Sequence, residues 1–180
     1  NLINKFVKIH TTQQKIIISK VKKNYSFFEI KNKIENFKNL KALVIGETII
    51  DQYVFCSALG KSGKEPMLAL KDIKTEQYLG GAAAISRHIS EFCGQITLLS
   101  MLGEKKEFLK EVKNSLPKNV KFDYINKKNS PTIVKKRFLD NVSNNKVLGV
   151  YKINYDYLTK GDEKIFNKKL RKLISDHGIV

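Results

Sequence analysis

The stretch Lys41-Ala-Leu-Val-Ile-Gly-Glu-Thr-Ile-Ile-Asp51 carries the main evidence for the fold. Its first six residues form an apolar run that ends in Gly46, which is typical of a buried strand in a parallel sheet. Ligands of open α/β sheets bind beyond the carboxyl ends of such strands. A carboxylate at Asp51 can therefore accept hydrogen bonds from the hydroxyl groups of a ligand. An Asp in this position is also typical of a loop or a cap, and both interpretations stay open here.

A second informative stretch, Gly80-Gly-Ala-Ala-Ala-Ile-Ser86, opens a helix predicted over residues 82–92. Two glycines allow a ligand to approach the backbone closely. The free N–H groups at a helix start can bind hydroxyls or phosphate. Gly-Gly turns before helices are common, so this stretch alone does not identify a site.

The rest of the chain alternates between strand-like and helix-like segments. Strands are predicted at 95–102, 120–125, 132–139 and 146–153, with a helix at 104–116 and a last helix from Gly161. This order predicts an α/β fold with a mainly parallel sheet. Two strands near 52–57 and 66–73 have no helix between them and are joined by a turn at 60–64. They are expected to form a small β lid that projects from the sheet.

Residues 1–38 precede the first predicted strand and are expected to be helical. Thr12 can cap a helix that runs to Asn24, and Ser26-Phe-Phe-Glu29 has the spacing of a capping box. Domain 39–180 follows. Ile179-Val180 is predicted to be the start of another strand.

Composition restricts the class of protein. The 180 residues are 42% apolar and 28% charged, as in an ordinary globular protein, so global disorder is excluded. No apolar run approaches the roughly 18 residues that a membrane span needs. Cys56 and Cys93 have no spacing typical of a zinc site or a disulfide framework. A cytoplasmic protein with reduced thiols is expected.

The net charge of +17 raises the alternative of a nucleic-acid-binding protein without catalytic activity. Among the 34 basic residues only Arg87, Arg137 and Arg171 are arginines, and the lysines are spread along the whole chain. Bidentate contacts to phosphate and guanine depend mainly on arginine. A solvated basic surface is therefore the favoured interpretation, and a nucleic-acid partner is not expected.

Three other site types fit poorly. Gly60-Lys-Ser62 is not a P-loop, because Phe55 occupies the position of the required first glycine. A nucleotide-binding Rossmann module remains an alternative, but the chain lacks its second and third glycines after Gly46. The histidines have no second ligand at metal spacing, so no metal site is expected in this chain; they are His10, His88 and His177.

In order and spacing, the chain from Lys41 to about Asp156 resembles the N-terminal portion of the PfkB (ribokinase-like) carbohydrate kinases. Within that family it is most similar to the heptose-7-phosphate kinase half of bifunctional ADP-heptose synthases. The matching stretches are Val44–Tyr53, Glu65-Pro66, Tyr78-Leu-Gly-Gly-Ala-Ala83, Ile96–Gly103 and Pro131-Thr-Ile-Val-Lys-Lys-Arg137.

The resemblance implies a ribokinase-like fold, a Rossmann-type three-layer sheet with helices on both faces and a small β lid, truncated at its C-terminus. It implies that Asp51 binds sugar hydroxyls and that Gly80 and Gly81 line the sugar pocket through their backbone. Lys135 and Arg137, alternate residues on one strand face, would meet a phosphate already on the sugar. Two exposed strand side chains are the alternative for that pair. Such lids often pair between subunits, which implies a homodimer. The apolar lid residues expected on the exposed face for this contact are Val54, Met67, Leu68 and Leu70.

The chain departs from the family pattern at two positions. The family has an Asn that contacts substrate three residues after the second glycine, where this chain has Ala84. The family has a glycine where this chain has Cys93. The resemblance thus places Ala84 at the sugar pocket without the polar group that the family uses there.

The implied reaction is transfer of a phosphoryl group from ATP, with Mg²⁺, to a sugar hydroxyl. The family takes its catalytic base and anion hole from an Asp-Thr-x-Gly-Ala-Gly-Asp segment, and no such segment occurs here. The catalytic base is therefore expected beyond residue 180, and this chain is expected to supply no catalytic residue. Residues 1–38 resemble a connecting segment that follows a nucleotidyltransferase module, which implies a fused domain of that kind.

Overall fold

A computed structural model describes residues 10–63 and 65–180. The predictions for residues 1–9 of the helical segment and for Lys64 in the lid turn lie outside the described residues. The chain divides after Lys38 into two compact units, the second of which is Asn39–Val180.

The first unit contains helices α1 (Thr12–Asn24) and α2 (Phe27–Asn36), followed by a 3₁₀ turn at Phe37–Asn39. Both helices begin with a capping box, as predicted for α2. Hydrogen bonds from Ser26 lower the pKa of Glu29. The N-cap of α1 is Thr11 and not Thr12, because the Thr11 hydroxyl accepts the backbone N–H of Gln14. None of the helices in the described residues is long and apolar enough to cross a membrane.

A three-stranded parallel sheet forms the base of the second unit. Its strands are β1 (Lys41–Ile45), β4 (Gln95–Gly103) and β5 (Val120–Lys127), in the order β1-β4-β5. The central strand β4 is almost wholly buried, which explains its continuous apolar sequence. The backbone N–H of Leu43 donates to Ile179 O at 2.9 Å in a parallel bridge beside β1. Ile179 thus makes an isolated β-bridge at the position where the sequence predicted the start of a strand.

Three helices accompany this sheet. They are α3 (Gly81–Ile89), which contacts β1 and β4, α4 (Leu109–Ser115) and α5 (Lys160–Ile174), which contacts β5. Ala83 of α3 and Val112 of α4 are fully buried in the core with Leu98 of β4. These small and branched side chains hold the helices close to the sheet.

The β lid is larger than the two short strands that the sequence predicted. It is a four-stranded sheet in the order β3-β2-β6-β7, formed by β2 (Thr48–Lys61), β3 (Leu68–Gly80), β6 (Ile133–Asp140) and β7 (Lys146–Lys152). The predicted bounds 52–57 and 66–73 are too short. The second edge of β2 is covered by a parallel pairing with β6, from Ile49–Ile133 to Cys56–Asp140. This pairing gives hydrogen-bond partners to backbone N–H and C=O groups that would be unpaired in a two-stranded lid.

The helix predicted at 104–116 begins only at Leu109. Lys106 and Phe108 have φ values of 57° and 65°, in the left-handed region that ends or precludes a helix. The helix predicted at 82–92 also ends earlier, at Ile89. In both cases the apolar spacing of the sequence extends further than the helix: it begins before α4 starts and continues after α3 ends. The backbone is not helical in those extra residues.

Gly103 connects the two sheets. Its N–H donates to the Thr132 hydroxyl at 2.9 Å, and that hydroxyl donates to Glu107 O at 3.0 Å. A Cβ on Gly103 would overlap the backbone N of Thr132 and the carbonyl carbon of Pro131. The end of β4 and the start of β6 can therefore approach this closely only with glycine at position 103.

We predict that Gly103→Ala destabilises the chain by about 1–3 kcal/mol, the usual range for forcing an extra methyl group into a packed site. Urea unfolding followed by circular dichroism measures the change. Gly63→Ala is the matched control, because a Cβ on Gly63 has no atom within 4 Å. Equal unfolding midpoints for the two variants would contradict the proposed close approach.

Candidate functional site

The candidate site lies where the lid sheet meets the carboxyl edge of the parallel sheet. Strand β2 starts at Thr48, three residues after β1 ends. In the lid, Asp51 is in register with Lys135 on β6, and Tyr53 is in register with Arg137. Since side chains two residues apart share a face of a strand, these four side chains lie on one face of the lid.

An ion pair between Asp51 and Arg137 is the central interaction of this face. Arg137 Nη1 donates to Asp51 Oδ1 at 2.5 Å, and the two side chains are only 18% and 22% exposed, Arg137 being the more buried. The hydrogen bond to Asp51 raises the pKa of Arg137, against a smaller opposing effect of burial. The guanidinium also lies over two rings, with its Cζ 5.5 Å from the centroid of Tyr53 and 5.8 Å from that of Tyr151. Arg137 thus fixes the orientation of the Asp51 carboxylate.

The two glycines lie directly against this carboxylate. A Cβ on Gly80 would overlap Asp51 Oδ2, so the second carboxylate oxygen occupies the space over Gly80. Gly81 has a φ of 58°, and a Cβ there would overlap the carbonyl oxygen of Glu47. Helix α3 starts here without a side-chain cap. The structure therefore brings Asp51, Gly80, Gly81 and Arg137 together at one place.

Lys135 takes no part in this ion pair, although it is two residues before Arg137 on the same strand. It lines a cavity of about 320 Å³ together with Glu47, Lys127 and Asp156. Among the described residues, no carboxylate lies within 4 Å of the Lys135 ammonium. The two basic residues therefore have different surroundings: Arg137 is paired with Asp51, and half-buried Lys135 lines the cavity.

Ala84 occupies the first turn of α3 and is half-buried. Its methyl group can contact a ligand but can neither donate nor accept a hydrogen bond. Cys93, the other departure from the family pattern, is a half-buried free thiol.

Several residues of this face were not identified from the sequence. The Tyr53 and Tyr78 rings meet edge to face at 5.9 Å. The Tyr78 hydroxyl donates to Glu76 at 2.7 Å, which raises the pKa of Tyr78. The two-residue spacing from Asp51 could have indicated Tyr53. Tyr151 could not have been found, because its place depends on the pairing of β6 with β7.

Residues 10–63 and 65–180 contain no group of three or more His, Cys, Asp or Glu side chains placed to hold a metal ion. The sequence also lacks the glycine-rich segment with an Asp base that the family uses at its ATP site. What these residues offer is a carboxylate that is paired with an arginine and lies beside two glycines.

Curated proteins with related sequences are sugar kinases. The chain is 26% identical over 105 residues to a D-beta-D-heptose 7-phosphate kinase from Bordetella bronchiseptica, with 58% of this chain and 34% of that protein covered. It is 29% identical over 101 residues to the bifunctional protein HldE of Campylobacter jejuni (55% and 20% covered). It is 32% identical over 148 residues to an uncharacterized sugar kinase of Buchnera aphidicola (81% and 44% covered). The chain thus spans less than half the length of each, and no family model matches it.

Solved structures support the fold. A possible 1-phosphofructokinase from Thermotoga maritima matches 77% of this chain and 43% of its own, with a TM-score of 0.57 and 14% identity. The phosphofructokinase-2 of Escherichia coli, solved in complex with fructose-6-phosphate, matches 74% and 41%, with a TM-score of 0.52 and 15% identity. The predicted fold class and family resemblance are confirmed. The chain is therefore similar in sequence to curated sugar kinases and similar in fold to two phosphofructokinases.

Proposed function

We propose that this chain forms the sugar-binding part of an ATP-dependent carbohydrate kinase whose acceptor is a sugar phosphate. The observation that carries the proposal is the Asp51 carboxylate, which Arg137 orients and which lies directly over Gly80. The heptose 7-phosphate kinase of Bordetella bronchiseptica supports a phosphorylated sugar as the acceptor. Neither the nucleic-acid-binding nor the dinucleotide-binding alternative is favoured by these relatives.

In the proposed complex, Asp51 accepts hydrogen bonds from sugar hydroxyls. A carboxylate has about four lone-pair sites, and Arg137 uses one of them. Gly80 is buried beneath the Asp51 carboxylate, so in the proposed complex the sugar meets Asp51 itself and the backbone of half-buried Gly81 at the start of α3. Lys135 provides positive charge for a phosphate already on the sugar, whereas the charge of Arg137 is paired with Asp51.

ATP and Mg²⁺ are proposed as donor and cofactor of the complete gene product and not of these residues alone. The bifunctional relative supports a second proposal, that a nucleotidyltransferase domain is fused to the kinase. An ATP-dependent reaction and two unpaired cysteines agree with the cytoplasmic location that we also propose.

We predict that Asp51→Ala in the complete gene product lowers kcat/KM for the sugar by at least about 100-fold, because a charged hydrogen bond of roughly 3 kcal/mol is lost. The affinity for ATP should stay within about twofold. Steady-state kinetics with heptose 7-phosphate measure the first, and calorimetry measures the second.

Asp72→Ala is the matched control, since Asp72 is an exposed carboxylate on the same lid hairpin, in register with Cys56. This variant should keep the wild-type kinetics. Unchanged sugar kinetics in Asp51→Ala would rule out Asp51 as a sugar ligand.

Arg137 is predicted to act by positioning Asp51. Arg137→Met should raise KM for the sugar about tenfold or more, the usual loss for a charged hydrogen bond, and Arg137→Lys should recover part of it. In a double-mutant cycle, Arg137→Met should add little to the effect of Asp51→Ala, because both remove one interaction. Fully additive effects of the two substitutions on kcat/KM would contradict a positioning role.

The lid is proposed to mediate a homodimer. Of the four residues that the sequence suggested for the contact, Val54 is only 5% exposed, so it packs inside the chain and is not available. Met67 and Leu68 are more than half exposed, and Leu70 is half-buried. Strands β3 and β7 are the edges of the lid sheet, so a second copy could pair with one of them and cover the apolar side chains.

We predict that the complete gene product is a dimer at micromolar concentration and that Leu68→Glu makes it monomeric, because a buried unpaired charge opposes association. Light scattering after size-exclusion chromatography measures the mass. Ile165→Glu is the control, since Ile165 is a comparably exposed apolar residue on α5. A wild-type protein that stays monomeric would refute the lid interface.

A further inference from the structure

We propose that Lys127, together with Lys135, binds the phosphate group of the sugar phosphate in the cavity at the carboxyl edge of β5. This inference rests on the proposed function. It assigns the recognition of the phosphate to a residue that the sequence motifs do not include, and it leaves Arg137 to orient Asp51.

Lys127 is a buried cation with few partners. It is the last residue of β5 and is only 8% exposed. Its Nζ donates to Asn154 O at 3.2 Å. An ammonium carries three donors, and no other protein acceptor is found for it in the described part of the chain. Two of its N–H groups therefore have no protein partner there.

No carboxylate of residues 10–63 and 65–180 lies within 4 Å of the Lys127 ammonium. The buried carboxylate that follows in the sequence, Asp162, is 3% exposed and accepts the backbone N–H of Lys128 at 3.1 Å. Lysine is almost never buried without a partner, because removing its charge from water is costly. A bound anion would supply the missing counter-charge.

The cavity beside Lys127 suits a small ligand. Its volume of about 320 Å³ lies within the range of about 300–1,000 Å³ that is usual for ligand sites. Four charged side chains line it. Lys127 is buried and Lys135 is half-buried, whereas the carboxylates of Glu47 and Asp156 are exposed.

This combination of charges fits a phosphorylated polyol better than a plain anion. Ammonium groups bind phosphate, and carboxylates accept hydrogen bonds from hydroxyls. Lys135 is also the register partner of Asp51, so the two Cα atoms lie on adjacent strands, which are about 4.8 Å apart. A sugar whose hydroxyls reach Asp51 can therefore place its phosphate near Lys135 and Lys127.

The proposal predicts discrimination between a sugar phosphate and the same sugar without phosphate. An unphosphorylated sugar would leave Lys127 buried and unpaired, and sites built around a polar group reject ligands that lack its partner. In the complete gene product, Lys127→Met should lower kcat/KM for heptose 7-phosphate at least about 30-fold. For unphosphorylated heptose the change should be less than threefold.

Lys128→Met is the matched control, because Lys128 is the next residue and its side chain is exposed. It should keep the wild-type preference for the phosphorylated sugar. Lys135→Met should reproduce the pattern of Lys127→Met at a half-buried position, which keeps the test valid if the Lys127 variant folds poorly. Equal losses for both sugars in Lys127→Met and Lys135→Met would overturn the proposal.

A binding measurement separates this inference from the proposed function. Inorganic phosphate should raise the Tm of the wild-type chain and of Lys128→Met, but not of Lys127→Met, because ligand binding stabilises the folded state. If no sugar gives ADP release in the wild-type protein, the kinase proposal fails while the phosphate measurement still tests Lys127. An equal rise in Tm for Lys127→Met would overturn the phosphate site even in an active kinase.

Discussion

The parallel pairing of β2 with β6 is the constraint on which the rest of the site depends. It runs without interruption from Ile49–Ile133 to Cys56–Asp140. Because side chains alternate between the faces of a strand, the pairing sets Asp51 beside Lys135 and Tyr53 beside Arg137, on the face away from buried Ile50 and Val134. A shift of one residue would turn the carboxylate and the guanidinium into the core. The apolar residues that alternate with the charged ones therefore fix the register of the site.

Glycines allow the lid and the parallel sheet to approach each other closely at the candidate site. Gly80 leaves room for the Asp51 carboxylate, Gly81 leaves room for the carbonyl of Glu47, and Gly103 leaves room for the backbone at Thr132. At Gly80 and Gly103 the requirement is space and not an unusual φ value. At Gly81 both apply, since its φ is 58°. The start of α3 and the ion-paired carboxylate thus come together because no side chain separates them.

The sequence predicted those parts of the site that lie within short βα segments. Asp51 comes soon after β1 and Gly80-Gly81 opens α3, so the sequence could indicate both as candidate site residues, although Asp51 lies within strand β2 and not in a loop. The four-stranded lid could not be foreseen, because the parallel pairing of β2 with β6 joins residues more than 80 positions apart. The sequence also indicated Lys135 and Arg137 as a pair with one role, because the long-range contact between Asp51 and Arg137 could not be foreseen. In the structure Arg137 is paired with Asp51, and Lys135 is not. Val54 was expected on an exposed lid face, but the alternation of β2 turns it inward with Ile50.

The net charge of +17 does not reveal that one basic residue, Lys127, is buried. Most lysines of this chain are exposed, where water and salt screen their charge and each contributes little to stability or recognition. Lys127 cannot be told apart from them by composition, because its neighbour Lys128 is the same residue type and is exposed. Only the structure shows that one of the two is buried at the end of β5 beside a cavity. The interaction energy of two charges is larger in the low-dielectric interior than at the surface. Recognition of an anionic substrate therefore depends on where a few cations lie and not on how many the chain contains.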